Sequence, residues 1–177
     1  MYPYFSKKDD DVKIKEIVKK DEDDLMEDKD DLTENKKEQE DFRRYIIEAL
    51  EEAIEDQHKS SIYYEKLYNM VEDEKDKDTL RQIALNEMKY KKIFMELYKM
   101  LTGKEANIED KYENVDVDDS LIEELQESIE EQLEDIDFYR MLMSLFSDLQ
   151  VRDMIYEVIL GKQKNAQLIS NLYNKYK

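Results

Sequence analysis

The chain has 177 residues, which suits one ordinary domain with a continuous core and is too short for two large ones. Two glycines and one proline disfavour folds with many tight turns, while the absence of cysteine excludes disulfides and thiolate metal sites. A formal charge of −19 argues against nucleic acid as a partner, and no apolar run is long enough for a membrane span.

The first 40 residues are dominated by Lys, Asp and Glu, with few apolar residues between them. Such a segment cannot bury enough apolar surface to offset the entropy lost on ordering, so residues 1–40 are predicted to be a flexible acidic tail. The start, MYPYFSKKDDD, lacks the apolar stretch of a signal peptide, which predicts a cytoplasmic protein. Residues 41–177 are the predicted folded domain.

From Phe42 onward, apolar residues recur every three or four positions, the spacing of a helix stripe. Four stripes predict four long helices paired as two hairpins, 41–102 and 119–177. Gly103 is the expected end of the second helix, and Asp119 or Ser120 the expected N-cap of the third. The third stripe is expected to begin at Ile122.

The two predicted hairpins resemble each other in sequence. A shift of 75 residues without a gap gives about fifteen identities between residues 47–102 and 122–177. The matched pairs include Gln57 with Gln132 and Tyr64 with Tyr139. Shared helix composition alone does not easily explain this number, so we expect that an ancestral hairpin was duplicated.

The connection between the hairpins predicts a topology. About 16 extended residues reach roughly 50 Å, whereas a helix of about 26 residues is roughly 40 Å long. The connection is therefore long enough to run the whole length of the bundle, which would make the second and third helices parallel. This is the bundle topology with one long crossover.

Each stripe is interrupted by polar residues at the same level. Burying six polar side chains in one layer is unfavourable unless they satisfy one another or bind a ligand. Their spacing matches di-metal bundles, in which two helices each supply a Glu and two supply a Glu-x-x-His pair. The six positions are Gln57, Glu87, Tyr90, Gln132, Lys162 and Asn165.

At these positions the chain resembles the rubrerythrin and bacterial ferritin-like family. AIEDQHKSSIYYEKLY and IEEQLEDIDFYRMLM resemble the first and third helices of that family, and TLRQIALNEMKYKKIFMELY and MIYEVILGKQKNAQLISNLY the second and fourth. The resemblance covers about residues 41–177. It implies a ferritin-like fold that binds iron or manganese for oxidase, peroxidase or storage chemistry.

The ligand positions depart from that pattern, because Glu87 alone keeps the expected residue type. Neutral Gln is a poor ligand for hard divalent ions, and Lys162 places a positive charge where a metal would lie. The six positions are therefore interpreted as a vestigial site with no cofactor expected. The Lys162 ammonium is predicted to contact Glu87, with the amides and the Tyr90 hydroxyl filling the remaining hydrogen bonds.

Two functions follow from this interpretation. The first is a non-enzymatic, degenerate ferritin-like protein that acts as a structural or interaction module with an unidentified protein partner, and a homodimer stays open. The alternative is an iron- or manganese-binding redox or storage protein with a rearranged site around Glu87. His58 lies one residue past the stripe, so it is expected at the flank of the bundle and not among metal ligands.

Overall fold

The computed structural model describes residues 29–107 and 115–177, which form four α-helices. Helix α1 spans Lys29–Met70, α2 spans Glu74–Thr102, α3 spans Leu121–Ser144 and α4 spans Leu149–Tyr176. The described residues contain no strand, which confirms the predicted all-α class. No helix within these two ranges is long and apolar enough to cross a membrane.

Helix α1 begins at Lys29, twelve residues before position 41, where the folded domain was predicted to start. The side chains from Lys36 to Tyr45 are exposed, and Ile46 is the first buried one in the described part of the helix. The helix therefore extends past the core that it helps to build. The tail prediction for residues 1–28 lies outside the described residues.

Deleting residues 1–40 is expected to leave the thermal midpoint nearly unchanged, because the described side chains at positions 36–45 are not buried. Circular dichroism melts of the full and truncated chains measure this. A drop of more than about 10 °C would mean that the N-terminal residues dock on the bundle, since such a shift corresponds to a few kcal/mol in a domain of this size.

The helix ends are capped by side chains and by one glycine. Asp73 and Asp148 each accept two backbone N–H hydrogen bonds from the first turn of the helix that follows. Their backbone angles nearly coincide, with φ −68° and ψ 124° for Asp73 and φ −68° and ψ 123° for Asp148. Ser120 caps α3 and Gly103 ends α2 in the left-handed region at φ 72°, both as predicted.

The helices pack as two hairpins, α1 with α2 and α3 with α4. The hairpins meet where α1 packs on α3 and where α2 packs on α4. At one end of the first contact the Tyr45 hydroxyl lies 3.5 Å from the Met141 sulfur, and at the other the Tyr63 hydroxyl lies 3.0 Å from the Ser128 hydroxyl. From the first contact to the second, the residue numbers rise along α1 and fall along α3, so these two helices are antiparallel.

Helices α2 and α4 are also antiparallel. The Lys175 ammonium contacts the Asp76 carboxylate at 2.7 Å, and the Lys89 ammonium contacts the Glu157 carboxylate at 2.5 Å. The first contact joins the start of α2 to the end of α4, and the second lies further into both helices. Each neighbouring pair that joins the two hairpins therefore runs in opposite directions.

The core consists of two apolar clusters with a polar level between them. The first cluster contains Leu50, Phe94, Leu142 and Ile155, and the second contains Leu67, Ile83, Leu125 and Ile169, among others. On every helix, at least one of the six candidate positions falls between the residues of one cluster and those of the other. A polar layer therefore crosses the middle of the bundle.

One member of the third stripe was predicted wrongly. Ile122 is 39% exposed, whereas Glu124 is buried. The first turn of α3 directs Glu124 toward α1, where its carboxylate accepts a hydrogen bond of 2.5 Å from the Tyr63 hydroxyl. Residues 122 and 124 lie about 200° apart around a helix, so the turn that packs Glu124 against α1 leaves Ile122 facing away from that contact.

Candidate functional site

The structure buries all six candidate side chains. Helix α1 supplies Gln57, α3 supplies Gln132, and the i, i+3 pairs come from α2 and α4. Gln57, Glu87, Lys162 and Asn165 are fully buried, Gln132 is 1% exposed and Tyr90 is 4% exposed. The predicted inward orientation of the six positions is therefore observed.

The Glu87 carboxylate is the centre of the layer and is surrounded by donors. Lys162 Nζ lies 2.6 Å from one carboxylate oxygen. The other oxygen accepts hydrogen bonds from the Asn165 amide at 2.9 Å and from the Gln132 amide at 3.3 Å. The predicted contact between Glu87 and Lys162 is therefore present, with two amides completing it.

The donor arrangement requires an ionised carboxylate at Glu87. Burial raises the pKa of this carboxyl, and the Lys162 charge only partly opposes that shift. A neutral carboxyl would carry an O–H, yet each of its three neighbours here presents an N–H. Burial lowers the pKa of the Lys162 ammonium, but the charges of Glu87 and Asp135 outweigh burial and raise it overall, so Lys162 is protonated.

Asp135 is a third charge in the layer that the sequence analysis did not identify. One of its carboxylate oxygens lies 2.7 Å from Lys162 Nζ, and its side chain is 22% exposed. The ammonium therefore bridges a fully buried carboxylate and one that water reaches. Asp135 follows Gln132 by three residues, so the i, i+3 rule could have placed it beside the layer.

Two glutamine–tyrosine pairs extend the layer. The Gln57 amide donates to the Tyr139 hydroxyl at 2.7 Å, and the Gln132 amide donates to the Tyr64 hydroxyl at 3.3 Å. Burial raises the pKa of both phenols well above its usual value, so both stay neutral. The tyrosines serve as hydrogen-bonding partners within the core.

Two atoms of the layer lack a hydrogen-bond partner in the described structure. They are the amide oxygens of Gln57 and Gln132, and both are buried. An unpaired buried carbonyl oxygen is unfavourable by about 1–3 kcal/mol. These oxygens are therefore the positions in the layer with unused capacity to accept a hydrogen bond or to bind a cation.

Tyr90 does not fill the hydrogen bonds predicted for it. Its ring belongs to the first apolar cluster, and its hydroxyl packs so closely on Gly161 that a Cβ atom there would overlap the hydroxyl oxygen. Asn86 takes the expected role instead, because its amide donates to the Asn165 side-chain oxygen at 3.0 Å. The absence of a side chain at Gly161 thus lets an aromatic ring replace a ligand-sized residue.

Acidic residues flank the layer along the contact between α1 and α3. Nearby protein atoms partly desolvate Asp56 and also Glu131, although Glu131 is exposed, and this raises the pKa of both carboxyls; the charge of Asp135 adds to both shifts. His58 is partly buried, one residue past Gln57 on α1. Within the described ranges, no group of three His, Cys, Asp or Glu side chains is arranged to hold a metal ion.

No family model, no curated protein and no solved structure matches this chain. The central layer is therefore the feature of the molecule that bears on its function.

Proposed function

We propose that this chain is a degenerate ferritin-like four-helix protein that lacks a competent di-metal centre and acts as a structural or interaction module. The observation that carries the proposal is the buried Lys162 ammonium, which lies 2.6 Å from Glu87 and 2.7 Å from Asp135. The ammonium places one positive charge at the midline of the bundle. It uses carboxylate oxygens that a metal ion would need.

The donor set does not fit iron or manganese. Hard divalent ions prefer several carboxylates, with imidazole as the usual nitrogen ligand for iron. Among the six positions, Glu87 supplies a carboxylate, while the others supply three neutral amides, a phenol and an ammonium. The Glu87 oxygens already accept three hydrogen bonds, so metal binding there would first have to remove these donors.

The contacts at the two ends of the bundle support a ferritin-like crossover. The Arg43 guanidinium donates to the Leu101 carbonyl at 2.9 Å, so α2 ends near the start of the packed part of α1. The Lys66 ammonium donates to the Val115 carbonyl, so the chain lies near the other end of α1 shortly before α3 begins. The end of α2 and the residues just before α3 therefore lie near opposite ends of α1, which is the placement that a crossover requires.

The layer also supports a duplicated origin. The Gln57–Tyr139 and Gln132–Tyr64 hydrogen bonds exchange with each other under a shift of 75 residues. The same shift relates Glu87 to Lys162 and the N-cap Asp73 to the N-cap Asp148. Reciprocal contacts of this kind are expected when two copies of one hairpin pack around a pseudo-twofold axis.

A second candidate function is cation binding at a rearranged site. The unpaired amide oxygens of Gln57 and Gln132 favour it, because they lie in the same layer as Glu87. Carbonyl and carboxylate oxygens together are ligands that hard cations accept. In this case the protein would bind iron or manganese with fewer carboxylates than the family pattern implies.

Loading the purified chain with ferrous iron in air tests the two functions. The proposal predicts no two-iron stoichiometry and no fast oxidation, because four of the six positions carry Gln, Gln, Lys and Asn. Metal content after desalting and the absorbance rise of ferric iron are the measurements. The matched control is Glu87→Gln, which removes the carboxylate from the layer without changing its volume.

The two functions differ in the response of this control. Equal background binding by the wild type and by Glu87→Gln supports the module without a metal centre. Two tightly bound ions per wild-type chain that are lost in Glu87→Gln would reject it in favour of the rearranged site.

A further inference from the structure

The outer side of the α1–α2 hairpin carries an exposed stripe that combines apolar and basic residues. Arg81, Leu85, Met88 and Lys92 follow one another on α2 at intervals of four, three and four residues, which aligns them on one side of the helix. Leu85 is 53% exposed and Met88 is 42% exposed. Arg81 and Lys92, at the two ends of the apolar pair, are also exposed.

A shallow groove lies between this stripe and α1. Ala84, Leu85 and Met88 line it from α2, and Glu65 and Tyr68 line it from α1. Arg81 also lines the groove, and its guanidinium lies 5.2 Å from the centre of the Tyr68 ring. The groove therefore has an apolar floor with a basic edge on α2 and an acidic edge on α1.

The acidic edge continues along α1. Glu51, Glu55 and Glu65 are exposed and follow helical spacing that keeps them on one side. Glu51 also interacts with the Tyr98 hydroxyl of α2, which places this side of α1 next to α2. Helix α2 has seven basic and five acidic residues, whereas α1 from Asp41 onward has four basic and seven acidic ones. On the outer side, the exposed charges named here are basic on α2, at Arg81 and Lys92, and acidic on α1.

A surface divided in this way is complementary to itself under one choice of twofold axis. If the twofold axis runs parallel to the helices, α2 of each copy packs on α1 of the other. If the axis runs across the helices, α1 packs on α1 and α2 packs on α2. The first arrangement places the basic edge of each copy opposite the acidic edge of the other. The second arrangement places like charges opposite each other, which weakens binding. We propose that the α1–α2 surface is the interface of a homodimer whose twofold axis runs parallel to the helices.

The levels of the charged residues agree with this arrangement. The Arg43 guanidinium contacts the Leu101 carbonyl, and the Lys77 ammonium lies 5.8 Å from the centre of the Tyr68 ring. Because α1 and α2 run in opposite directions, residues at the same height along the two helices have numbers with a nearly constant sum. This relation puts Lys92 level with Glu55 and Arg81 level with Glu65. An axis parallel to the helices preserves the level, so each basic residue faces an acidic one of the second copy.

The opposite surface lacks this complementarity. On the α3–α4 hairpin, Leu133, Tyr156 and Leu160 are 52%, 50% and 47% exposed, respectively. Helix α3 has eight acidic residues and one basic residue, and α4 has four basic residues, of which Lys162 is buried. This hairpin offers few surface cations to face the acidic edge of a second copy. The proposed dimer concerns the outer surface and does not depend on whether the central layer binds a metal.

Sedimentation equilibrium of the 177-residue chain and of two charge-reversed variants tests the interface. The wild type is expected to be a dimer whose dissociation constant rises with salt. Arg81→Glu/Lys92→Glu and Glu55→Lys/Glu65→Lys are each expected to raise that constant at least tenfold, because each places like charges opposite each other. An equimolar mixture of the two variants restores both sets of opposite charges and is expected to form a heterodimer.

Several results decide the proposal. A monomeric wild type at about 100 μM, or a dimer that both variants leave intact, would overturn it. Leu133→Glu is the control on the opposite surface and is expected to leave the dimer unchanged; loss of the dimer in that variant alone would assign the interface to α3–α4. Circular dichroism shows whether each variant folds. If a double variant does not fold, the single charge reversal Lys92→Glu or Glu55→Lys is measured instead.

Discussion

Lys162→Met is expected to lower the free energy of unfolding by about 3 to 5 kcal/mol, the usual cost of removing one partner from a buried ion pair. The Glu87 carboxylate would then remain fully buried with amide donors alone. Its pKa would rise further, because burial without a counter-charge favours the neutral acid. Asp135 would contribute less to the loss, since its side chain is 22% exposed. The matched control is Lys164→Met, which removes an exposed lysine from the same helix.

A double-mutant cycle isolates the pair. Glu87→Gln removes the charge while keeping an oxygen that accepts from Asn165, so the double variant Glu87→Gln/Lys162→Met is expected to recover much of the loss. Urea unfolding of the wild type, both single variants and the double variant gives the coupling energy. Losses that add within about 0.5 kcal/mol would mean that the two side chains do not interact.

Gly161→Ala is expected to destabilise the bundle by about 1–3 kcal/mol, the usual cost of overfilling a packed core. A Cβ atom at this position overlaps the Tyr90 hydroxyl and lies 2.9 Å from a ring carbon. Tyr90 is 4% exposed, so its ring has little room to move away. The expected sign is opposite to that of helix propensity, which favours Ala over Gly by roughly 0.5–1 kcal/mol.

Combining Gly161→Ala with Tyr90→Leu tests the cause. A shorter side chain at position 90 should relieve the overlap, so the double variant is expected to lose less than the sum of the two single losses. Gln163→Ala, at an exposed position of the same helix, is the control for propensity. A Gly161→Ala variant as stable as the wild type would show that Tyr90 adjusts without cost.

Spacing alone was enough to predict the four helices and the central layer. The three-four alternation located the stripes, because a helix buries one side at a period of 3.6 residues. The interruption of the stripes at one level gave the six buried positions, and their chemistry gave the Glu87–Lys162 contact. The crossover and the duplication stay predictions that the contacts support.

The remaining features depend on how far side chains reach, which a one-dimensional pattern does not record. A lysine is long enough to contact two carboxylates on different helices, so Lys162 also bridges to Asp135. Tyr90 occupies a ligand position in the sequence pattern. Because Gly161 on α4 has no side chain, the Tyr90 ring fits against it and packs in the first apolar cluster. Ile122 follows the stripe, yet the hydrogen bond that packs Glu124 against Tyr63 in the first turn of α3 leaves Ile122 exposed.

We propose that the Lys162 ammonium takes the place of a metal ion between acidic side chains. A high-resolution crystal structure of the chain grown with manganese, with anomalous data, would show which of the two cations lies in the layer. We expect Lys162 Nζ within about 3 Å of both Glu87 and Asp135, the hydrogen-bond range for charged groups, and no anomalous peak in the layer. A manganese peak coordinated by Glu87, with the Lys162 side chain turned away from it, would refute this replacement.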